Sequence, residues 1–360
     1  MAELIFPFKQ APEPGALTEI TSGVYWLRMP LPLALDHINL YLLEDTDGWW
    51  IIDTGIKSDV TQQYWSAIFK TQLQGKPIKA VLATHMHPDH IGQAGWLCNQ
   101  WRVPLYMSFG EYYAARCFMQ TSADDFSWQA EEYFRSTGLP DNFFVQMKQN
   151  FSGFNSIVEP LPGSFTRLRE DQQLTINGQQ WRVIIGSGHS PEHVCLYCEA
   201  LEVMISGDQI IAGISSNVSV MAIEPQANPL DCWLKSLHKL KQLPQSTLVL
   251  PAHKLPFIGI KARAAELQAH HAEHLQALIN TCAEKKTAVQ LLPVLFKRKL
   301  DDKVMMMALG ECVAHLRYLC QQQRLQRLTD EDGVDWYQSD AKDITTIEND
   351  YSNNEQPMQV

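Results

Sequence analysis

The segment that most restricts the fold is Thr84-His85-Met86-His87-Pro88-Asp89-His90. It follows the apolar run KAVLAT (79–84), which reads as a buried strand, and leads into a helical pattern from His90 to about Trp101. Three histidines and an aspartate thus stand where a strand hands over to a helix. Side chains at alternate positions 85 and 87 of an extended loop point at one cation. Asp89 and His90, at the helix start, reach a second beside it. Imidazole and carboxylate donors suit zinc and other divalent transition metals.

Two cations need further ligands, and three later strand ends offer them. His189 follows QWRVIIGSG, Asp208 follows LEVMISG, and His253 follows TLVLPA. Each is a ligand-capable residue set among small residues after an apolar run, hence at the rim of a sheet. The expected set is His85, His87 and His189 for one metal and Asp89, His90 and His253 for the other, with Asp208 between them. Two cations sharing a water lower its pKa towards neutrality and supply hydroxide for attack on a carbonyl or phosphorus. Asp89 is the expected catalytic residue, orienting the nucleophile and passing a proton to the leaving group.

Around this motif the chain alternates β-rich and helical stretches. Strands are expected at 24–29, 38–43, 49–53, 180–185, 193–198, 201–206 and 247–251, with a helix over 60–74. Two β-rich halves with helices between them imply two packed sheets with helices outside. Twelve aromatics fall within residues 109–154. That density predicts a helical insert, either with its own small core or walling an apolar substrate pocket. Helices are expected over 262–284, over 287–292 (stopped by Pro293) and over 305–325. A strand-turn-strand over 327–337 completes a winged-helix outline. The expected domains are 1–255 for catalysis, with 109–154 as the insert, and 256–338 for the winged-helix-like part. Residues 339–360, with five acids and one lysine, read as a disordered acidic tail.

The motif HMHPDH, followed in order by GHS, SGD and PAH, resembles the metallo-β-lactamase-fold hydrolase superfamily, in its glyoxalase II-like branch. WIIDTG (50–55) matches an early element of that family. The resemblance implies an α/β (α+β) fold, the αββα sandwich, with a dinuclear site at one edge. It also implies a structural role for Asp53 near that site. Aspartate rather than cysteine at 208 is the bridging type of glyoxalase II, lactonases and RNA-processing members. The C-terminal outline is similar to the accessory domain of β-lactamase-like 2 proteins, some of which cut single-stranded RNA.

Charge bears on the choice of substrate. Twenty-nine basic against forty acidic residues give −11, which disfavours a broad nucleic-acid or anionic-membrane surface. The segment 283–338 holds nine Lys/Arg against eight Asp/Glu. A small acyl thioester or ester is therefore the expected substrate, with an endoribonuclease as the alternative. Zinc is the expected metal, with iron or manganese as alternatives. His37, Asn217 and Lys254 are candidate substrate contacts, and His193 reads as a support for the site. The eight cysteines are scattered, and no run reaches the ~18 apolar residues of a membrane span. The expectation is a cytoplasmic protein without membrane partners, and a homo-oligomer fits such a chain. Cys195 and Cys198 read as core, His270, His271 and His274 as surface or interface residues, and Met305–Met307 as core.

Overall fold

A strand whose apolar residues fall on both faces must be covered on both sides. The second, third and fourth strands have this character: β2 (Val24–Pro30), β3 (His37–Asp45) and β4 (Gly48–Ile52). The computed structural model describes residues 3–32, 35–120, 127–140, 142–143, 153–297, 300 and 302–339. In it these strands join β1 (Thr18–Thr21), β5 (Ile78–Leu82), β6 (Leu105–Ser108) and β7 (Thr166–Leu168) in a seven-stranded sheet ordered β1 to β7. Pairing is antiparallel through β4 and parallel from there on. The hairpin between β3 and β4 closes Asp45 against Gly48 across a two-residue turn.

The second sheet holds β8 (Gln173–Ile176), β9 (Gln179–Gly186), β10 (His193–Cys198), β11 (Val203–Gly207), β12 (Leu248–Pro251) and β13 (Phe257–Ile258). Its order is β13-β12-β11-β10-β9-β8. Alternation along the strands divides the apolar residues between two cores. Trp26, Tyr41, Leu43, Trp50 and Ile52 pack against Trp181, Val183, Val194, Leu196 and Ile205 of the second sheet. Leu27, Leu40, Leu42, Trp49 and Ile51 point the other way. There they meet Trp65 and Ile68 of α1 (Asp59–Thr71) and Leu97 of α3 (Ala94–Trp101). Each such fully buried Leu or Ile contributes roughly 1.5–3 kcal/mol, so the two-sided burial fixes the sandwich. This is the expected α/β sandwich.

The helix expected from His90 to Trp101 is two: α2 (Pro88–Ile91) and α3, parted at Gly92–Gln93. At the junction the backbone runs close to another segment: a Cβ on Gly92 would lie 2.4 Å from the Lys57 backbone nitrogen.

The chain divides into two units: 1–126, 146–216 and 243–263; and 127–145, 217–242 and 264–360. Both large sheets lie within the first. The second contains α5 (Trp128–Ser136), α6 (Pro229–Leu240), most of α7 (Ile260–Thr281), α8 (Ala288–Leu295), α9 (Asp302–Gln321) and the hairpin β14 (Gln326–Thr329)–β15 (Asp335–Gln338). Each unit is thus assembled from three stretches of the chain.

The aromatic segment is not one insert with one core. Its first helix, α4 (Phe109–Gln120), stacks Tyr112 on Phe165 in the first unit, with ring centroids 4.0 Å apart. In the second unit, the Tyr133 hydroxyl of α5 donates to the Val220 carbonyl at 2.8 Å. Phe126, Phe144 and Phe151, and the tail from residue 340, lie outside the described residues.

Three local expectations need correction. Pro293 does not stop α8, which runs on to Leu295. It removes one backbone donor, while the Thr287–Gln290 capping box and the buried Leu291, Leu292 and Leu295 hold the turns. Met307 is 53% exposed rather than core. His271 is fully buried rather than a surface residue, because its Nδ1 donates to His315 Nε2 at 2.9 Å. Cys195 and Cys198 are buried, as core cysteines.

Candidate metal centre

β4 and β5 run parallel, as do β11 and β12. Their carboxyl ends release Asp53, the 84–90 loop, Asp208 and His253. β9, which also ends at this rim, leads to His189. The side chains meet there in two groups: His85, His87, His189 and Asp208, and Asp89, His90 and His253.

Donors held 2.0–2.2 Å from a shared tetrahedral ion lie about 3.3–3.6 Å from one another. His189 Nε2 is 3.2 Å from His85 Nε2 and 3.4 Å from Asp208 Oδ2, and His85 Nε2 is 2.9 Å from His87 Nδ1. In the second group His253 Nε2 is 3.4 Å from Asp89 Oδ2, and His90 Nε2 is 3.7 Å from it. Asp208 spans both, with Oδ2 3.5 Å from His90 Nε2 and Oδ1 3.6 Å from His253 Nε2. The donor set fits a pair of divalent cations. A further observation agrees: His90 Nε2 and Asp208 Oδ1 are buried without a hydrogen-bond partner, a costly state that a cation relieves.

Behind the donors, the supports fix which ring nitrogen faces inward. His90 Nδ1 donates to Asp53 Oδ2 at 2.7 Å, freeing Nε2 for a metal. Asp53 also accepts from the Thr84 backbone N–H at 2.7 Å and from its hydroxyl at 2.8 Å. Asp53 thus stands beside the cluster and in neither group, as a support. His253 Nδ1 donates to the His37 carbonyl at 2.9 Å. The Asp208 N–H donates to His193 Nε2 at 3.0 Å, so His193 holds the backbone of the shared carboxylate. Gly207, at φ 49°, leaves room for this ring, because a Cβ there would lie 2.6 Å from its Cε1.

The electrostatics follow from burial. Desolvation and neighbouring imidazoles hold His85 well below its ordinary pKa and bring His87 down to about 3. Both are neutral, ligand-ready imidazoles. Burial works against the ionised forms of Asp89 and Asp208. The surrounding histidines outweigh it and keep both carboxylates below the usual range. Burial would also lower His90, but Asp53, Asp89 and Asp208 together push it up. Ionised carboxylates beside neutral imidazoles are a donor set suited to cations.

The candidate substrate contacts fare differently. His37 opens β3 beside His253, with ring centroids 6.1 Å apart. Its nitrogens are engaged, however: Nδ1 donates to Asp36 and Nε2 accepts from the Lys254 N–H at 3.2 Å. Lys254, at φ 69°, has its carbonyl taken by Asn39 and Arg28. Asn217 belongs to the second unit, where its amide donates to Glu311 Oε2 at 2.9 Å. Two supports escaped the sequence reading. Asn39 donates to the Pro251 and Lys254 carbonyls on either side of His253. The buried Glu111 accepts from Met86 and Glu192 backbone N–H groups. A lone asparagine inside the apolar INLYLL was the one available signal for the former.

The pattern of the Metallo-beta-lactamase superfamily matches residues 33–253, and that of the Metallo-beta-lactamase-like C-terminal domain matches residues 275–340. The chain therefore belongs to the metallo-β-lactamase superfamily, a metal-binding hydrolase fold. Among solved structures it is similar to a β-lactamase domain protein from Burkholderia ambifaria. That protein is 42% identical, with a TM-score of 0.86, over 94% of this chain and 98% of the other. Among curated proteins it is similar to the probable metallo-hydrolase YqjP of Bacillus subtilis, 24% identical over 83% of this chain and 92% of that one. It is also similar to an atrochrysone carboxyl ACP thioesterase of Aspergillus fumigatus, 23% identical over 81% of this chain and 58% of the relative.

Proposed function

We propose that the chain is a dinuclear metal-dependent hydrolase that cleaves a thioester or ester bond of a small acyl substrate. The observation that carries this is the convergence of seven His and Asp side chains from four strand ends, with buried donor atoms left unpaired. His85, His87 and His189 would hold one ion and Asp89, His90 and His253 the other, with Asp208 reaching both. Bound divalent cations supply Lewis acidity and a water acidified towards neutral pH. The rest of the chemistry belongs to the chain. Asp89 stays a carboxylate at neutral pH, so it takes the proton of the attacking water at Oδ and returns it to the leaving thiol or alcohol. Asp53 and the His37 carbonyl keep His90 and His253 in one tautomer throughout.

The acyl assignment is supported by the thioesterase relative. A hydroxyacylglutathione hydrolase from Albidiferax ferrireducens, 22% identical over 66% of this chain, supports it too. The net charge of −11 weighs against polyanionic RNA. One substrate panel tests the reading: acyl thioesters, lactones, a β-lactam, a phosphodiester and labelled single-stranded RNA, offered to zinc- and manganese-loaded protein. Thioester turnover that chelation removes and reloading restores is expected. Cleavage of RNA alone would overturn the proposal.

A further inference from the structure

Glu111 is the third residue of α4, and no part of it is exposed. A carboxylate buried to that degree needs strong acceptor contacts. Two backbone N–H groups, from two different loops, supply them. Oε2 accepts from the Met86 N–H at 2.8 Å, and Met86 stands between His85 and His87. Oε1 accepts from the Glu192 N–H at 2.7 Å, three residues beyond His189. The second loop returns the contact: Glu192 Oε2 accepts from the Gly110 N–H at 2.8 Å, and the Ser108 hydroxyl donates to the Glu192 carbonyl at 2.7 Å. The start of α4 and the loop after β9 are thus tied at three points, and the same carboxylate reaches across to the histidine loop. Glu111 itself belongs to neither donor group.

We propose that Glu111 is a positioning residue for the first metal position: by bridging the 84–90 and 187–192 loops it sets the spacing of His85, His87 and His189 around one cation. The inference rests on the two-metal reading above. It gives the carboxylate a selective effect, because the second group takes His90 and His253 from supports that Glu111 does not touch. Glutamine in its place offers one acceptor and one donor to two N–H groups, so one loop loses its hold. Aspartate is a methylene too short to reach both.

The experiment is a zinc titration of the full-length protein against a competing chelator, with thermal melts of the metal-free and loaded forms. Wild type, Glu111→Gln, Glu111→Asp and Tyr112→Phe are compared. The Tyr112 hydroxyl donates to the Pro162 carbonyl, away from both loops, which makes it the control for general loss of stability in α4. Wild type is expected to bind two ions. Glu111→Gln should keep one at wild-type affinity and bind the other 10–100-fold more weakly, the range usual for outer supports of a metal site. Tyr112→Phe should melt earlier with both affinities unchanged. If Glu111→Gln fails to fold, Glu111→Asp decides by the same measure. Two wild-type affinities in the folded Glu111 variant, or an equal weakening of both ions, would refute the inference. A wild type that takes up no zinc would instead remove the two-metal reading beneath it.

Discussion

Asp89 stands at the rim with His253 Nε2 3.4 Å from its Oδ2, and no strand of either sheet depends on it. Asp89→Ala should therefore lower kcat by roughly 10²–10⁴-fold, the usual worth of a positioned acid–base group. The melting temperature of the metal-free protein should stay near that of wild type. Steady-state rates beside circular dichroism melts check this, and a fully active folded variant would contradict the assigned role. The seven donors were legible in the sequence because four crowd into one six-residue motif and the other three are each a lone ligand-capable residue after an apolar run. Their supports were not. Glu111 lies in a helical segment whose spacing gives no hint that it faces two distant loops. Asn217 shows the same limit: it follows the Asp208 loop in the chain, and nothing local announces that its amide donates to Glu311, 94 residues away.

Most of the longer strands were readable, whereas β1, β6 and β7, at four, four and three residues, show no period and carry no ligand motif beside them. The burial of His271 depends on α9 lying across α7, a long-range fact with no local signature. That contact makes the second unit sensitive to acid. His271 and His315 stack with centroids 5.0 Å apart, beside Trp233 of α6 and His270 and His274 of α7. His315 Nδ1 donates to the Glu311 carbonyl at 2.7 Å. Burial brings His315 down to about 4. An unfolded histidine titrates near 6.5, so between about pH 6.5 and 4 the unfolded chain takes up the proton first. Stability is then full above that window and falls as pH drops through it, by about 3 kcal/mol for His315. Melts between pH 7.5 and 4.5 should show this slope, and His315→Asn should flatten part of it. At the start of α8, Thr287→Ala removes a reciprocal cap and should cost about 1 kcal/mol in denaturant unfolding.

For the whole molecule, metal and fold are linked, because the donors come from positions 85–90, 189, 208 and 253 of the chain. At a free zinc concentration of 100 times Kd, each ion that binds only the native state adds about 2.7 kcal/mol. Chelation should lower the melting temperature, and elemental analysis should count two ions returning as it recovers. A melt indifferent to chelator would contradict this linkage. The partition of residues 109–154 between two units was invisible in the sequence, because composition reports aromatic density and not which core receives each ring. One tether carries a final consequence. The third strand is apolar on both sides, so sliding it by one position would swap two equally greasy faces, and water would barely object. Asn39 objects: its N–H donates to the Ala252 carbonyl and its amide grips those of Pro251 and Lys254. The residue that locks the alignment of that strand also seats His253, the last of the seven donors along the chain, so a mispaired sheet could not assemble a complete reaction centre.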